Sequence, residues 1–242
     1  TAIAQGIAAS AKTMQLLSWG ELETDPQSAH VDEEKCIGCR ICEDVCQFGK
    51  IKVSNGKATV DEVSCYGCGA CSASCPTDAI LMHNSTDKQI LAQVRAATEM
   101  KSEFPLIVAF LCNWCSYTCA DLAGVSRIQY PTNIRVIRVM CAGRVDPEFV
   151  LEAFKGGADG VLVAGCRLGE CHYIFANYSA KKRMEVLQGV LEDIGIDPHR
   201  LKVEWISAAE GERFARSIES FVDELKEIGP IGSELLEGHN DG

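Results

Sequence analysis

Two runs of cysteine carry the densest chemistry in this chain: Cys36-x2-Cys39-x2-Cys42-x3-Cys46, then Cys65-x2-Cys68-x2-Cys71-x3-Cys75-Pro76. Thiolates spaced this closely aim at neighbouring irons around one corner of a 4Fe–4S cube, and the same short loop cannot also supply the fourth ligand. The fourth cysteine of each run is therefore expected on the other cube. This assigns Cys36, Cys39, Cys42 and Cys75 to a first cluster, and Cys65, Cys68, Cys71 and Cys46 to a second. The alternatives are a pair of zinc knuckles or a disulfide framework. Zinc needs paired C-x2-C arms, and a third cysteine at equal spacing fits it poorly. The first run departs from the second at Gln47, which stands where Pro76 follows the second. That changes the rigidity of the loop and removes no ligand.

Six cysteines lie outside these runs: Cys112, Cys115, Cys119, Cys141, Cys166 and Cys171. Cys112, Cys141 and Cys166 each stand at the end of an apolar, strand-like segment. In an open parallel sheet the carboxyl ends of the strands share one edge, where ligands bind. Core cysteines would scatter along strands and helix faces instead. A converging set of this kind suits a 2Fe–2S cluster with a spare thiol, a structural zinc ion, or a redox dithiol at Cys112 and Cys115. The dithiol reading leaves Cys141, Cys166 and Cys171 without a role. His172 is expected to donate a hydrogen bond to a sulfur rather than to bind metal. Trp114 is expected to shield the site. Arg144 and Arg167 either offset thiolate charge or face a partner.

The elements that must position these groups are legible from pattern. Ile51-Lys-Val53 and Ala58-Thr-Val60 flank Ser54-Asn55-Gly56-Lys57, a hairpin with a type I′ turn signal. Ile80-Leu81-Met82 is expected to close the small sheet around the first two cysteine runs. Thr86-x-x-Gln89 is a capping box, opening a linking helix with Ile90, Leu91, Val94, Ala97 and Met100 on one face. From Phe104 strands alternate with helices. Residues 106–111, 134–140, 160–164 and 201–206 read as strands, with helices opening at Asp146-Pro147 and centred on Met184–Ile194 and Phe214–Leu225. The expectation is an α+β module followed by a small parallel-sheet α/β domain. Its divisions are a helix and connector over 1–30, the two-cluster module over 31–83, a linking helix over 84–102, the α/β domain over 103–230 and a tail over 231–242.

Composition narrows the function classes. A net charge of −11 argues against nucleic acid as a partner. Fourteen cysteines without a signal peptide point to metal sites in a reducing, cytoplasmic compartment of an anaerobic or well-protected cell. No apolar run is long enough for a membrane span. Paired carboxylates, a nucleophile elbow and a phosphate loop are all missing, so no complete catalytic site is expected.

Family resemblances sharpen this reading. The repeated cysteine loops and hairpin resemble the two-cluster bacterial ferredoxin. Ala4-Gln5-Gly6-Ile7-Ala8-Ala9-Ser10-Ala11, in a helix pattern with Ile3, Met14 and Leu17, is similar to the final helix of the flavin domain in the flavin-bearing subunit of heterodisulfide reductase. That resemblance implies FAD on an upstream domain or on a partner, with this chain either a fragment of a longer polypeptide or a polypeptide in its own right. Phe110-Leu-Cys112-Asn-Trp-Cys115-Ser-Tyr117, Arg138-Val-Met-Cys141-Ala-Gly-Arg144-Val-Asp-Pro147 and Cys166-Arg-Leu-Gly-Glu-Cys171-His-Tyr173 resemble the delta subunit of methyl-viologen-reducing hydrogenase, over about residues 104–225. This implies a 2Fe–2S electron adaptor whose ligand pool is Cys112, Cys115, Cys141, Cys166 and Cys171, with Cys119 outside the pattern. The implied function is an electron wire with three clusters. It would run from a hydrogenase or formate dehydrogenase to the flavin of an electron-bifurcating heterodisulfide reductase, as in methanogenesis. The rival is a ferredoxin-fed thiol or disulfide reductase using Cys112 and Cys115.

Overall fold

The computed structural model describes residues 2–18, 20, 27–99 and 103–232. Residues 21–26 of the expected connector, Met100 of the linking helix and residues 233–242 of the tail lie outside the described residues. The first helix, α1 (Ala2–Leu17), keeps the apolar positions Ile3, Ile7, Met14 and Leu17 exposed to solvent.

The cysteine-run module is built on two antiparallel pairs. β1 (Ala29–Val31) pairs with β4 (Ile80–Met82), in the register Ala29 with Met82 and Val31 with Ile80. The short helix α2 (Ile41–Val45) lies between them in the chain, followed by the hairpin of β2 (Ile51–Ser54) and β3 (Lys57–Val60). Asn55 and Gly56 both carry positive φ, 51° and 77°. Only a type I′ turn demands that at both central residues, which is why Asn-Gly stands there. β1 occupies residues expected to be connector. Its segment Ala-His-Val is too short to show a period, and its backbone partner β4 is distant in sequence.

The rest is a three-layer sandwich. Four parallel strands run in the order β6 (Ile134–Val139), β5 (Ile107–Cys112), β7 (Gly160–Gly165), β8 (Leu201–Trp205). Every residue of β5 and β7 is buried, as expected of strands covered on both faces. Val108, Phe110, Val161 and Val163 face α3 (Asp87–Glu99), α5 (Pro147–Lys155) and α6 (Ala176–Asp193). Ile107, Ala109, Leu111 and Leu162 face α4 (Ser116–Val125) and α7 (Gly211–Ile228). The helix expected as a linker, α3, buries Ile90 and Val94 in this core and so forms part of the sandwich. Its capping box is formed: the Gln89 N–H donates to Thr86 Oγ1 at 3.3 Å, and the Thr86 N–H to Gln89 Oε1 at 2.9 Å. Among the described residues no helix is long and apolar enough to cross a membrane.

Candidate iron–sulfur centres

The two cysteine runs close around separate cavities. Cys36, Cys39, Cys42 and Cys75 line one, with Ile37, Val53, Ala58 and Ile80. Cys46, Cys65, Cys68 and Cys71 line the other, with Phe48, Ile51, Tyr66 and Met82. Each cavity thus gathers three cysteines of one run and the last cysteine of the other. The α2 turn positions the first trio, and the 3-10 turn Ser72–Ser74 ends at Cys75, which sends that thiol across.

The donors around these sulfurs suit bound thiolate. The N–H of Ala58 points to Cys36 Sγ at 3.4 Å, that of Lys50 to Cys46 Sγ at 3.3 Å and that of Ala79 to Cys75 Sγ at 3.3 Å. Burial alone acts the other way, pushing the Cys42 and Cys68 thiols up to about 11 and Cys71 higher still. A buried sulfur that accepts N–H donors yet resists ionisation needs a cation to hold the thiolate form. Four sulfurs in an apolar pocket fit a 4Fe–4S cluster in each cavity.

The second set gathers at the carboxyl edge of the parallel sheet. Cys112 ends β5, Cys141 follows β6, and Cys166 follows β7 with Cys171 in the next loop. Cys112 Sγ and Cys166 Sγ stand 3.7 Å apart. Cys115 acts electrostatically on both of them, as Cys166 does on Cys171 and Cys171 on Cys141. The five therefore form one continuous sulfur group. Hydrogen bonding from Cys115 lowers Cys112, and bonding from Cys141 lowers Cys171. Bonding to Cys112 pushes Cys166 up, and bonding to Cys171 pushes Cys141 up. Such crowded sulfurs share protons or share a metal. Cys119 stands outside, buried in the core beneath α4, where burial raises it to about 11 and its charged neighbours are Glu210 and Arg213.

Several residues that sequence reasoning left without a role hold this edge together. The buried Ser116 hydroxyl accepts the Cys112 N–H at 2.7 Å and donates to the Ala164 carbonyl at 2.8 Å, tying the ends of β5 and β7. Asn177 donates to the carbonyls of Cys166 and Arg167. Their sequence signal was a polar residue within a helix's first turn, which solvent-facing caps share. Trp114 stacks on His172 with centroids 3.7 Å apart, and both meet Tyr173 edge-on. Among the described residues the contacts of the exposed His172 are thus aromatic, and the hydrogen bond to a sulfur expected of it is not among them. The two arginines are committed elsewhere: Arg167 pairs with Glu210, and buried Arg144 pairs with Asp87 and donates to the Ser85 carbonyl.

The two sites meet. Cys68 of the second cavity lies close enough to Cys171 and Cys141 for their charges to act on each other. Ala70, Cys141, Cys171, Tyr173 and Ala176 share one buried cluster, with Phe48 and Cys68 packed against it. Gln47 Oε1 accepts the Phe175 N–H at 2.6 Å across the same joint. The unusual residue after Cys46 thus reaches the loop that carries Cys171.

Comparison with known proteins follows this division. Residues 107–229 match the family described as the delta subunit of methyl-viologen-reducing hydrogenase, and residues 29–82 match a 4Fe-4S dicluster domain. Over 233 residues, 96% of its length, the chain is 68% identical to a ferredoxin:CoB-CoM heterodisulfide reductase polypeptide of Methanosarcina mazei. It is 69% identical, also over 233 residues, to the corresponding ferredoxin/F420H2-dependent CoB-CoM heterodisulfide reductase polypeptide of Methanosarcina acetivorans. It spans 29% of the length of each of these two relatives. An iron-sulfur subunit of the F420-non-reducing hydrogenase of Methanococcus voltae is 52% identical over 126 residues, 88% of that protein and 52% of this chain.

Proposed function

Because it matches the hydrogenase delta-subunit family over residues 107–229, the chain belongs to it, and from that premise we propose a relay of electrons between an upstream dehydrogenase and a flavin. The donor would be a hydrogenase or formate dehydrogenase, and the acceptor the FAD of a heterodisulfide-reductase-type complex that bifurcates electrons. The chain is an iron–sulfur electron-transfer component carrying a 4Fe–4S dicluster domain. Iron–sulfur clusters, when bound, supply one-electron transfer at potentials set by their ligands and surroundings. Cys36, Cys39, Cys42 and Cys75 would hold one 4Fe–4S cluster, and Cys46, Cys65, Cys68 and Cys71 the other. Four of Cys112, Cys115, Cys141, Cys166 and Cys171 would hold a 2Fe–2S cluster, the fifth remaining spare.

The observation that carries this reading is the packing of Cys68 against the buried cluster that holds Cys141 and Cys171. It supports an order of three thiol sets: the sheet-edge group, the Cys68 cavity, then the Cys36 cavity. Trp114, Tyr117 and Phe175 lie exposed around the first, where a donor would dock. Ile37 and Cys39 lie exposed at the last. The bare apolar positions of α1 give a flavin-bearing domain or partner something to pack against.

Iron and acid-labile sulfide counted in anaerobically prepared chain test the reading directly. Two cubes and one rhomb give about ten irons. Cys141→Ala is expected to abolish a 2Fe–2S signal while both 4Fe–4S signals persist, and to stop flow from the upstream enzyme in the assembled complex. Normal flow through a variant lacking that signal would make the α/β domain structural.

One observation favours the rival, a thiol or disulfide reductase: Cys112 ends β5 and Cys115 caps the N-terminus of α4, the strand–C-x2-C–helix placement of a reactive dithiol. Against it, Cys112 is 1% exposed and already in contact with Cys166. The rival gives about eight irons and two titratable thiols.

A further inference from the structure

Away from the cysteines, three side chains converge on the outside of the dicluster module. His30 lies in β1, His83 directly follows β4, and Glu62 follows β3. The β1–β4 register pairs Ala29 with Met82, and the His83 N–H donates to the Ser28 carbonyl at 2.9 Å, so backbone bonding fixes the two histidines as neighbours. His30 Nδ1 lies 2.8 Å from Glu62 Oε1, and His83 Nε2 lies 3.7 Å from Glu62 Oε2. One donor atom from each residue lies within 4.8 Å of the other two.

We propose that His30, Glu62 and His83 form a binding site for a divalent transition-metal ion of the zinc class, separate from every thiol set. Two imidazoles and a carboxylate are a donor set such ions take, with water completing the tetrahedron. Bonds of about 2.0–2.2 Å in that geometry place donors roughly 3.3 Å apart. The separations of 2.8 Å to Oε1 and 3.7 Å to Oε2 bracket that spacing, and small side-chain rotations draw the donors, all within 4.8 Å of one another, around one ion. No lysine or arginine competes: among the described residues, the ionic partners of Glu62 are these two imidazoles. The side chains are 52%, 42% and 50% exposed for His30, Glu62 and His83, which leaves the ion a path and a water position. The imidazole planes are tilted by 49° with centroids 5.8 Å apart, an arrangement open to a shared ion.

The competing account is a plain ion pair between Glu62 and a protonated imidazole. To separate them, the full chain, reconstituted with iron and sulfide under anaerobic conditions, is titrated with zinc at neutral pH by calorimetry. The wild type is expected to bind one zinc more per chain than a His30→Ala/His83→Ala double variant, with iron and sulfide contents unchanged in both. Retained iron shows that the variant is folded. X-ray absorption at the zinc edge is expected to show only nitrogen and oxygen ligands. Equal uptake by wild type and variant, or sulfur in the zinc shell, would overturn the site. If the double variant failed to load iron, His83→Gln and the wild-type zinc-edge spectrum would decide the matter by the same criteria.

Discussion

At the scale of single residues, what distinguishes the eight run cysteines is which cavity each one faces. Cys46 is the informative one, because it lies in the first run by sequence but lines the cavity of Cys65, Cys68 and Cys71. Cys46→Ser is therefore expected to perturb the 4Fe–4S signal of that second set and to spare the signal of Cys36, Cys39, Cys42 and Cys75. Electron paramagnetic resonance of the reduced chain reads this, and damage confined to the Cys36 side would refute the assignment. The exchange of last cysteines was legible because it follows from the reach of a short loop, a local property. The role of Gln47 was not. Its partner is the backbone of Phe175, far along the chain, and nothing near Gln47 announces it. The same limit hid Ser116, whose hydroxyl bridges two strand ends that only the folded sheet brings together.

Elements tell a similar story one level up. β5 and β7 were readable as unbroken apolar runs because both of their faces are covered. β1 was hidden by its brevity, and α3 reads as a linker in sequence although Ile90 and Val94 are as buried as any core residue. The reason α3 belongs to the sandwich also suggests how firmly it is held. Arg144, 1% exposed, comes from the turn after β6 and pairs with Asp87 at the start of α3. Its guanidinium also lies 5.1 Å from the Phe149 ring, and its aliphatic stem presses on Gly69, where an added Cβ would collide with Arg144 Cδ. Gly69 has a φ of 77°, so both backbone conformation and close approach require glycine there. Asp87→Ala would leave a buried guanidinium without its counter-charge. The cost is about 3 kcal/mol, the low end for breaking a buried pair, since the Ser85 carbonyl remains. For a chain of this size that lowers Tm by roughly 6–12 °C, measurable by calorimetry on the reconstituted chain. An unchanged Tm would show that the ion pair contributes nothing to the joint.

The whole molecule adds what neither residues nor elements supply, the joint that underlies the proposed order of the three thiol sets. Sequence spacing named the sets but left their mutual placement open, because side-chain contacts between distant segments decide it: Phe48 against Tyr173, Gln47 against Phe175, Arg183 reaching from α6 to Ser74. These contacts bring Cys68 against the buried cluster at the sheet edge. Each paramagnetic centre broadens the signal of a near neighbour, so the order has a spectroscopic consequence in the fully reduced chain. We expect magnetic interaction between the sheet-edge centre and the Cys68 centre, and between the two 4Fe–4S centres. Cys68→Ser, which empties the middle position, should leave the sheet-edge and Cys36 signals narrow and independent. It should also slow electron passage to the flavin in the assembled complex while reduction at the sheet edge persists. Were the sheet-edge and Cys36 signals to remain coupled after Cys68→Ser, the middle position would belong to another set and the route would have to be redrawn. A wild-type spectrum with no interaction at all would place the α/β domain too far away for the joint built from Tyr173, Phe175 and Arg144.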